Sequence, residues 1–138
     1  MKQISSKFSI AVHIVSLIAY SPNLCTGEFI ASSVNTNPVI IRRITGMLKK
    51  AGLVKVRPGV GGAMLLKRPE QITLLDIYRA VEVIDEGQLF NFHNEPNPQC
   101  PVGRNIDEAL RAEMREAQLA MENRLAQVTV SELVEKFK

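Results

Sequence analysis

The hydrophobic period of the chain changes at Gly52, and this change limits the fold more than any other sequence feature. Upstream, apolar residues recur at helical spacing as far as Ala51, and a glycine after such a segment is the usual left-handed helix stop. Downstream, residues 53–57 alternate as a strand, residues 58–62 form a glycine-rich turn, and residues 63–66 return as a second strand. The pattern therefore predicts helices followed at once by a β-hairpin.

Three helices are predicted before the hairpin. Residues 4–20 are apolar on nearly all sides, as expected of a central core helix. Thr26 can cap a short second helix that runs through about Val34. Asn37 is a good N-cap and Pro38 a good first residue for the third helix. Helix, short helix, turn, helix and hairpin is the order of elements in a winged helix-turn-helix.

The second half of the chain predicts two more helical regions separated by a loop. Thr73 and the acidic residue three positions later form a capping box that opens a helix through about Val83. Residues 85–104 contain three prolines and three asparagines and show little periodicity, which is typical of a linker. From residue 105 to residue 127 apolar residues recur every three or four positions on a charged helix, and Thr129 can cap a last short helix.

Basic residues are concentrated in the first half of the chain. Residues 1–68 carry ten Lys or Arg side chains against one acid, Glu28, whereas residues 69–138 carry seven against thirteen. The two halves have net charges of +9 and −6, which sum to +3. A half this basic predicts binding to a polyanion such as nucleic acid, and the acidic half is then used for something else.

The third predicted helix has the composition of a DNA-recognition helix. A helix fits the major groove, and its N-terminus places backbone N–H groups against phosphate. Arginine suits bidentate contact with guanine, and short residues at the start let the backbone come close. The five isoleucine, methionine and leucine side chains of this helix can face the core instead. The candidate DNA-binding residues here are Thr36, Asn37, Pro38, Val39, Arg42, Arg43, Lys49 and Lys50.

The hairpin turn is a candidate wing. Its glycines permit close approach to a sugar-phosphate strand, and Arg57 supplies charge. Taken alone, these glycines are equally consistent with a tight turn that has no ligand. A phosphate-binding P-loop is excluded because no Lys-Ser/Thr pair follows at the required spacing. The candidate wing residues are Arg57, Gly59, Val60, Gly61 and Gly62.

With these motifs, residues 32–68 resemble the Rrf (BadM-type) family of bacterial regulators, to which IscR, NsrR and CymR belong. The resemblance continues through residues 72–81 and the C-terminal helix, and the segment 97–103 most resembles the YwnA-like branch. It implies a homodimeric winged-helix transcription factor, usually a repressor, that binds a pseudo-palindromic operator in double-stranded DNA. The expected organisation is a winged helix-turn-helix DNA-binding domain (1–84), a linker or sensor loop (85–104), and a dimerisation helix with a C-terminal helix (105–138).

The apolar stripe of the long helix is the predicted dimer contact. An amphipathic helix beyond a linker can pair with its twin and place two DNA readers across a two-fold axis. The alternative is that the stripe packs on its own domain. The stripe consists of Ile106, Leu110, Met114, Ala117, Met121 and Leu125.

No iron–sulfur cluster or other cofactor is expected. Family members that bind a cluster have three cysteines in the loop before the long helix, and the corresponding loop here contains only Cys100. A cluster normally needs about four ligands, mostly thiolates. His93 and Glu95 could add mixed ligands, but their spacing matches no strong metal signature. What remains is a thiol switch at Cys100, a small-molecule effector or a protein effector, and the alternative that Cys100 has no role.

Other chemistry-bearing residues have plainer interpretations. Cys25 is expected to be half-buried, and His13, on an apolar helix, to be a hydrogen-bonded core histidine.

An enzyme is not expected, because two distant histidines provide no converging set of titratable groups. The apolar run in the first helix is shorter than the roughly 18 to 20 residues that span a bilayer, so no membrane contact is expected. Two cysteines and no signal peptide favour a reducing cytoplasm. The alternative function is a winged-helix protein–protein interaction module without sequence-specific DNA binding.

Overall fold

A computed structural model describes residues 6–23, 25–57, 62–82 and 97–137 of the chain. Within them the fold is mainly α-helical with one two-stranded antiparallel sheet, as the change of period predicts. A short 3-10 turn, Pro69–Gln71, precedes the fourth helix. The elements are α1 (Ser6–Tyr20), α2 (Gly27–Val34), α3 (Pro38–Lys50), β1 (Val54–Arg57), β2 (Gly62–Leu65), α4 (Leu74–Val81), α5 (Pro101–Ala126) and α6 (Val130–Glu135).

The helix-turn-helix is fixed by its caps. The Thr26 hydroxyl accepts a hydrogen bond from the Phe29 N–H and starts α2. Asn35 ends that helix in the left-handed conformation, with φ 62° and ψ 49°, which an asparagine tolerates better than most residues. Two residues later the Asn37 side chain accepts from the Ile40 N–H at 3.0 Å and starts α3. The turn between the two helices is therefore determined by local residues.

The core is built around α1. Helices α2, α3, α4 and α6 and strand β2 all pack against it, which confirms its prediction as a central helix. Ile14 and Val15 of α1 are fully buried, as are Ile44 and Leu48 of α3 and Ile77 of α4. Because α3 buries this side against α1, its opposite side is left for solvent or a ligand.

The hairpin is attached to the segment between α1 and α2. Its strands pair with Val54 opposite Leu65 and Arg57 opposite Gly62. The Ala63 N–H donates to the Cys25 carbonyl at 2.8 Å. A Cβ built on Gly62 would collide with that same carbonyl, and Gly62 has a positive φ of 68°. Both the close approach and the backbone conformation therefore require glycine at this position.

The structure differs from the sequence-based organisation at the C-terminal end. The described residues form two compact units: 97–124 in one, and 6–82 together with 125–137 in the other. The last residues join the winged helix because Thr129 pairs with Thr73, the Val130 N–H donates to the Ile72 carbonyl at 2.8 Å, and Val130 is fully buried. The division predicted from the sequence had placed all of 105–138 together.

Helix α5 begins four residues earlier than predicted, at Pro101 instead of residue 105. A proline at the first helical position loses no hydrogen bond, because its missing N–H would have no partner there. The prolines had favoured a linker through residue 104. Residues 85–96 of the predicted linker lie outside the described residues.

None of the described helices combines the length and the apolar composition needed to cross a membrane.

Candidate nucleic-acid interface

The exposed side of α3 carries the residues that the sequence predicted for DNA contact. Val39, in its first turn, is 62% exposed, and Arg42 and Arg43 are exposed one turn later. Ile41 and Ile44 point into the core. Helix α3 therefore presents one apolar side chain and two guanidinium groups to solvent near its N-terminus.

The electrostatics of α3 favour an anion at its N-terminus. Its first turn contains no acidic residue, so the positive end of the helix dipole is not compensated locally. Asn37 and Pro38 are exposed there and Thr36 is half-buried. Lys49 and Lys50, in the last turn, are exposed and also complement the negative end of the dipole. These two lysines consequently have a structural reason to be there besides any contact with phosphate.

Among the residues that the structure describes, the basic side chains of α3 and the hairpin have no acidic partners. Among the described residues, the salt bridge nearest in sequence joins Arg68 to Glu70 at 3.5 Å. None of the seven cations from Arg42 to Lys67 forms a salt bridge within the described part of the chain. Uncompensated positive charge of this density is typical of a surface that meets a polyanion. The seven are Arg42, Arg43, Lys49, Lys50, Lys55, Arg57 and Lys67.

The predicted wing is described only at its base. Arg57 is exposed at the end of β1, directly opposite Gly62 at the start of β2. Gly59, Val60 and Gly61 lie outside the described residues, so their predicted contact stays a prediction. The hairpin base nevertheless joins Arg57 to the same body as α3, because β1 packs against that helix.

The stripe of α5 is partly exposed in the isolated chain. Leu110 and Ala117 are exposed, whereas Ile106, Met114, Met121 and Leu125 are half-buried. Two large apolar residues of α5 that are exposed lie outside the stripe that the sequence defined. Val102 is 67% exposed and lies one turn before Ile106. The sequence analysis missed it because it assigned residue 102 to the linker. Leu119 is 49% exposed and lies on the opposite side of the helix from Leu110.

Cys100 lies immediately before α5 and is exposed. Hydrogen bonds from the backbone of Gly103 and of Val102 lower the pKa of its thiol, because they favour the thiolate. The backbone of Gly103 also lies so close to the Asn97 carbonyl that a Cβ would not fit. Cys100 thus immediately precedes a helix N-terminus, a position that favours the thiolate.

Cys25 and His13 differ from their predicted environments. Cys25 is fully buried instead of half-buried, and its thiol donates to the Ser21 carbonyl at 3.2 Å. Burial raises the pKa of the Cys25 thiol. His13 is exposed, so the prediction of a core histidine is wrong, and its Nε2 lies 2.9 Å from the Ser33 hydroxyl on α2. The helical period placed His13 on α1, but it could not show that no other helix covers this side of α1 within the described residues.

The comparisons with known proteins agree with this geometry. The sequence pattern of the Rrf2 family, described as iron-dependent transcriptional regulators, matches residues 4–136. The Bacillus subtilis (strain 168) protein YwnA, named as an HTH-type transcriptional regulator, is 46% identical over 131 residues, covering 95% of this chain and 96% of YwnA. A crystal structure described as that of a DNA-binding protein matches at 41% identity with a TM-score of 0.74, covering 93% of this chain and 98% of its own. CymR of B. subtilis, described as the global cysteine regulator, shares the fold with a TM-score of 0.73 at 24% identity over 99% of this chain and 98% of CymR.

Proposed function

This chain belongs to the Rrf2 family of DNA-binding transcriptional regulators, and from that membership we propose that it acts as a homodimeric repressor on a pseudo-palindromic operator. Helix α3 enters the major groove, and the hairpin contacts the neighbouring backbone. We expect the protein to work in the cytoplasm, where its DNA target lies and where its two cysteines stay reduced.

The observation that carries this proposal is the set of cations on α3 and the hairpin that have no acidic partner in the described chain. A folded surface with several neighbouring Lys and Arg side chains repels itself unless a polyanion neutralises it. Arg42 and Arg43 are one turn inside α3, where a recognition helix reads base edges. Val39 at the start of that helix can contact a thymine methyl group.

The dimer in this proposal forms through α5. Exposed Leu110 and half-buried Ile106 and Met114 leave an apolar stripe that a second copy can cover. Two-fold pairing sets two copies of α3 against half-sites about one helical turn apart, roughly 34–36 Å, or a multiple of that distance. The net negative charge of the second half of the chain, residues 69–138, keeps this part of the protein away from DNA.

The family is described as iron-dependent, but the residues present here do not fit an iron–sulfur cluster. The chain contains two cysteines, and a cluster needs about four ligands, mostly thiolates. Cys25 is buried with its thiol bonded to the Ser21 carbonyl, so it is not presented to a metal. His93 and Glu95 lie outside the described residues. We therefore propose a regulator without a resident cofactor.

The signal in this proposal is oxidation of Cys100. Its exposed, hydrogen-bonded thiol reacts as a thiolate with peroxide to give a sulfenic acid, and a second thiol can resolve that product. Oxidation would place a larger, more polar group immediately before α5 and so disturb the start of the dimerisation helix. A small-molecule or protein effector is the competing source of the signal.

The proposal is tested by fluorescence anisotropy of the purified protein on its own promoter fragment and on random DNA, at several salt concentrations. Selective binding that weakens steeply with salt supports a sequence-specific regulator. Equal and weak binding to both DNAs would favour the alternative, a winged-helix protein–protein interaction module. The same titration with peroxide, repeated with Cys100→Ser, separates a thiol signal from any other.

A further inference from the structure

A groove lies at the base of the hairpin, between the C-terminal end of α1 and strand β2. Its volume is about 320 Å³, at the lower end of the range of roughly 300–1,000 Å³ that is usual for small-molecule sites. All of its lining residues belong to one compact unit, so the groove exists within that unit alone. Most of the lining is apolar and consists of Ile18, Ala19, Pro22, Met64, Leu65 and Pro69.

Two cations also line the groove, and no described acid neutralises them. Arg57, at the end of β1, and Lys67, two residues after β2, are both exposed. Neither forms a salt bridge with an acid in the described ranges, and no Asp or Glu is among the described lining residues. Two like charges that share one groove repel each other, and an anion held beside both removes that repulsion. The groove therefore favours an anionic ligand.

The polar groups of the lining suit a carboxylate in particular. The Arg57 guanidinium presents its N–H donors in a planar fork that matches the two oxygens of a carboxylate. The Lys67 ammonium adds a compact charge with three donors. The side-chain amide of Asn23, which lines the same groove, can donate further hydrogen bonds.

The apolar part of the lining distinguishes a small organic acid from other anions. Ala19, Met64 and Leu65 are half-buried, so part of each side chain still contacts water. A ligand with an apolar body gains free energy by removing that surface from water. A phosphate group, whether free or in a DNA backbone, has no such body and would leave this surface hydrated.

We propose that this groove binds a small monocarboxylate with an apolar body, of the aryl or branched aliphatic acid class. The carboxylate pairs with Arg57 and Lys67, and the apolar body lies against Ala19, Met64 and Leu65. This ligand class satisfies the cations and the apolar lining together, whereas an inorganic anion satisfies only the first and a hydrocarbon only the second.

Arg57 connects the groove to DNA binding. It lines the groove and is also the described cation at the base of the candidate wing. A guanidinium that holds a carboxylate is not free to pair with a DNA phosphate, so the ligand and DNA compete for it. By linkage, each then weakens the binding of the other by the same factor. This regulatory consequence rests on the proposed function, whereas binding of the acid to the groove does not.

The test uses benzoate, with benzamide as its neutral analogue of similar shape and acetate as the anion without an apolar body. Binding to the full-length protein is followed by amide chemical shifts in ¹⁵N-labelled samples, without DNA. Benzoate should shift amides within residues 18–23 and 64–67, and benzamide and acetate should each bind roughly tenfold more weakly. Shifts confined to other parts of the chain, or no binding of benzoate, would overturn the proposal. Acetate that binds as tightly as benzoate would rule out the assigned ligand class.

Variants separate the two halves of the site. Arg57→Gln should weaken benzoate binding about threefold or more, the effect of one exposed charge pair, and change benzamide binding less than about twofold. Lys55→Gln is the matched control, because Lys55 is an exposed cation of the same strand that does not line the groove. An equal loss of benzoate binding in both variants would show a general effect of net charge and no site. Ala19→Phe should fill the groove and abolish binding of both ligands; because Arg57 is exposed, Arg57→Gln keeps the test valid if Ala19→Phe does not fold.

The competition with DNA is measured separately by fluorescence anisotropy. Benzoate should weaken DNA binding more than acetate at the same concentration, which controls for ionic strength, and Arg57→Gln should remove the difference. Benzoate that occupies the groove without this effect would overturn the competition. A protein that shows no selective DNA binding at all would contradict the proposed function, and the chemical shifts would still decide whether the groove binds the acid.

Discussion

The Ala63 N–H donates to the Cys25 carbonyl oxygen at 2.8 Å, and this bond ties the hairpin to the segment that leads into α2. The neighbouring Gly62 leaves no room for a Cβ beside the same carbonyl. The base of the wing and the segment that leads into α2 are consequently held in direct backbone contact. The position of Arg57, which pairs with Gly62, depends on it.

Gly62→Ala should therefore destabilise the protein. The added Cβ meets backbone atoms that cannot move aside cheaply, and alanine is strained at a φ of 68°. We expect a loss of at least 1–2 kcal/mol in the free energy of unfolding, approximately the cost of the left-handed conformation alone. Urea denaturation measures it.

Gly46→Ala is the matched control for this change. Gly46 lies inside α3 with nothing near its Cβ position, so alanine should stabilise the helix by about 0.5–1 kcal/mol. If the two alanine variants unfold at the same urea concentration, the contact between the hairpin and Cys25 contributes nothing to the free energy of unfolding.

The local elements of the fold could be predicted from the sequence because their signals are local. Asn37 and Pro38 indicate where α3 begins. Gly52 adopts the expected positive φ of 80° after that helix. Thr73 and Asp76 form the complete capping box of α4. The alternating residues after Gly52 pair as a hairpin. Each of these depends on residues within one or two turns of chain.

The remaining features depend on contacts between distant segments. No local signal shows that Val130 returns to the Ile72 carbonyl, so the sequence could not show that the last residues pack with the winged-helix unit. Likewise, the exposure of His13 depends on which helices leave α1 uncovered. The sequence predicted which basic residues form this surface. Only the structure shows that these cations have no acidic partner among the described residues.

Arg42→Ala and Lys49→Ala should affect DNA binding differently. Arg42 lies one turn into α3, within reach of base edges, so its loss should relax sequence preference by about 1–3 kcal/mol. Lys49, in the last turn, should contact phosphate, and its loss should weaken binding to all sequences alike and reduce the salt slope by about one. Anisotropy titrations on operator and random DNA distinguish these effects. Equal losses on every sequence in both variants would show that Arg42 does not read bases.

Leu110→Lys should convert the proposed dimer to a monomer. A lysine in the centre of the apolar stripe would be buried without a partner when a second copy packs on it. Leu119→Lys is the control, because Leu119 is exposed on the opposite side of α5. Light scattering coupled to size-exclusion chromatography gives the mass of each variant. A dimer that survives Leu110→Lys but not Leu119→Lys would place the interface on the other side of α5.

The two cysteines should differ in reactivity as a function of pH. Hydrogen bonds from the backbone of Gly103 and Val102 lower the pKa of the Cys100 thiol, so its alkylation by iodoacetamide should reach half its maximal rate at a lower pH than an unfolded cysteine. Burial raises the pKa of Cys25 and excludes the reagent, so Cys100→Ser should leave a protein that reacts only on unfolding. Mass spectrometry of samples quenched between pH 6 and 10 measures both rates. A Cys100 that titrates like the unfolded chain would show that these hydrogen bonds do not persist in solution, and oxidation would then lose its structural basis as a signal.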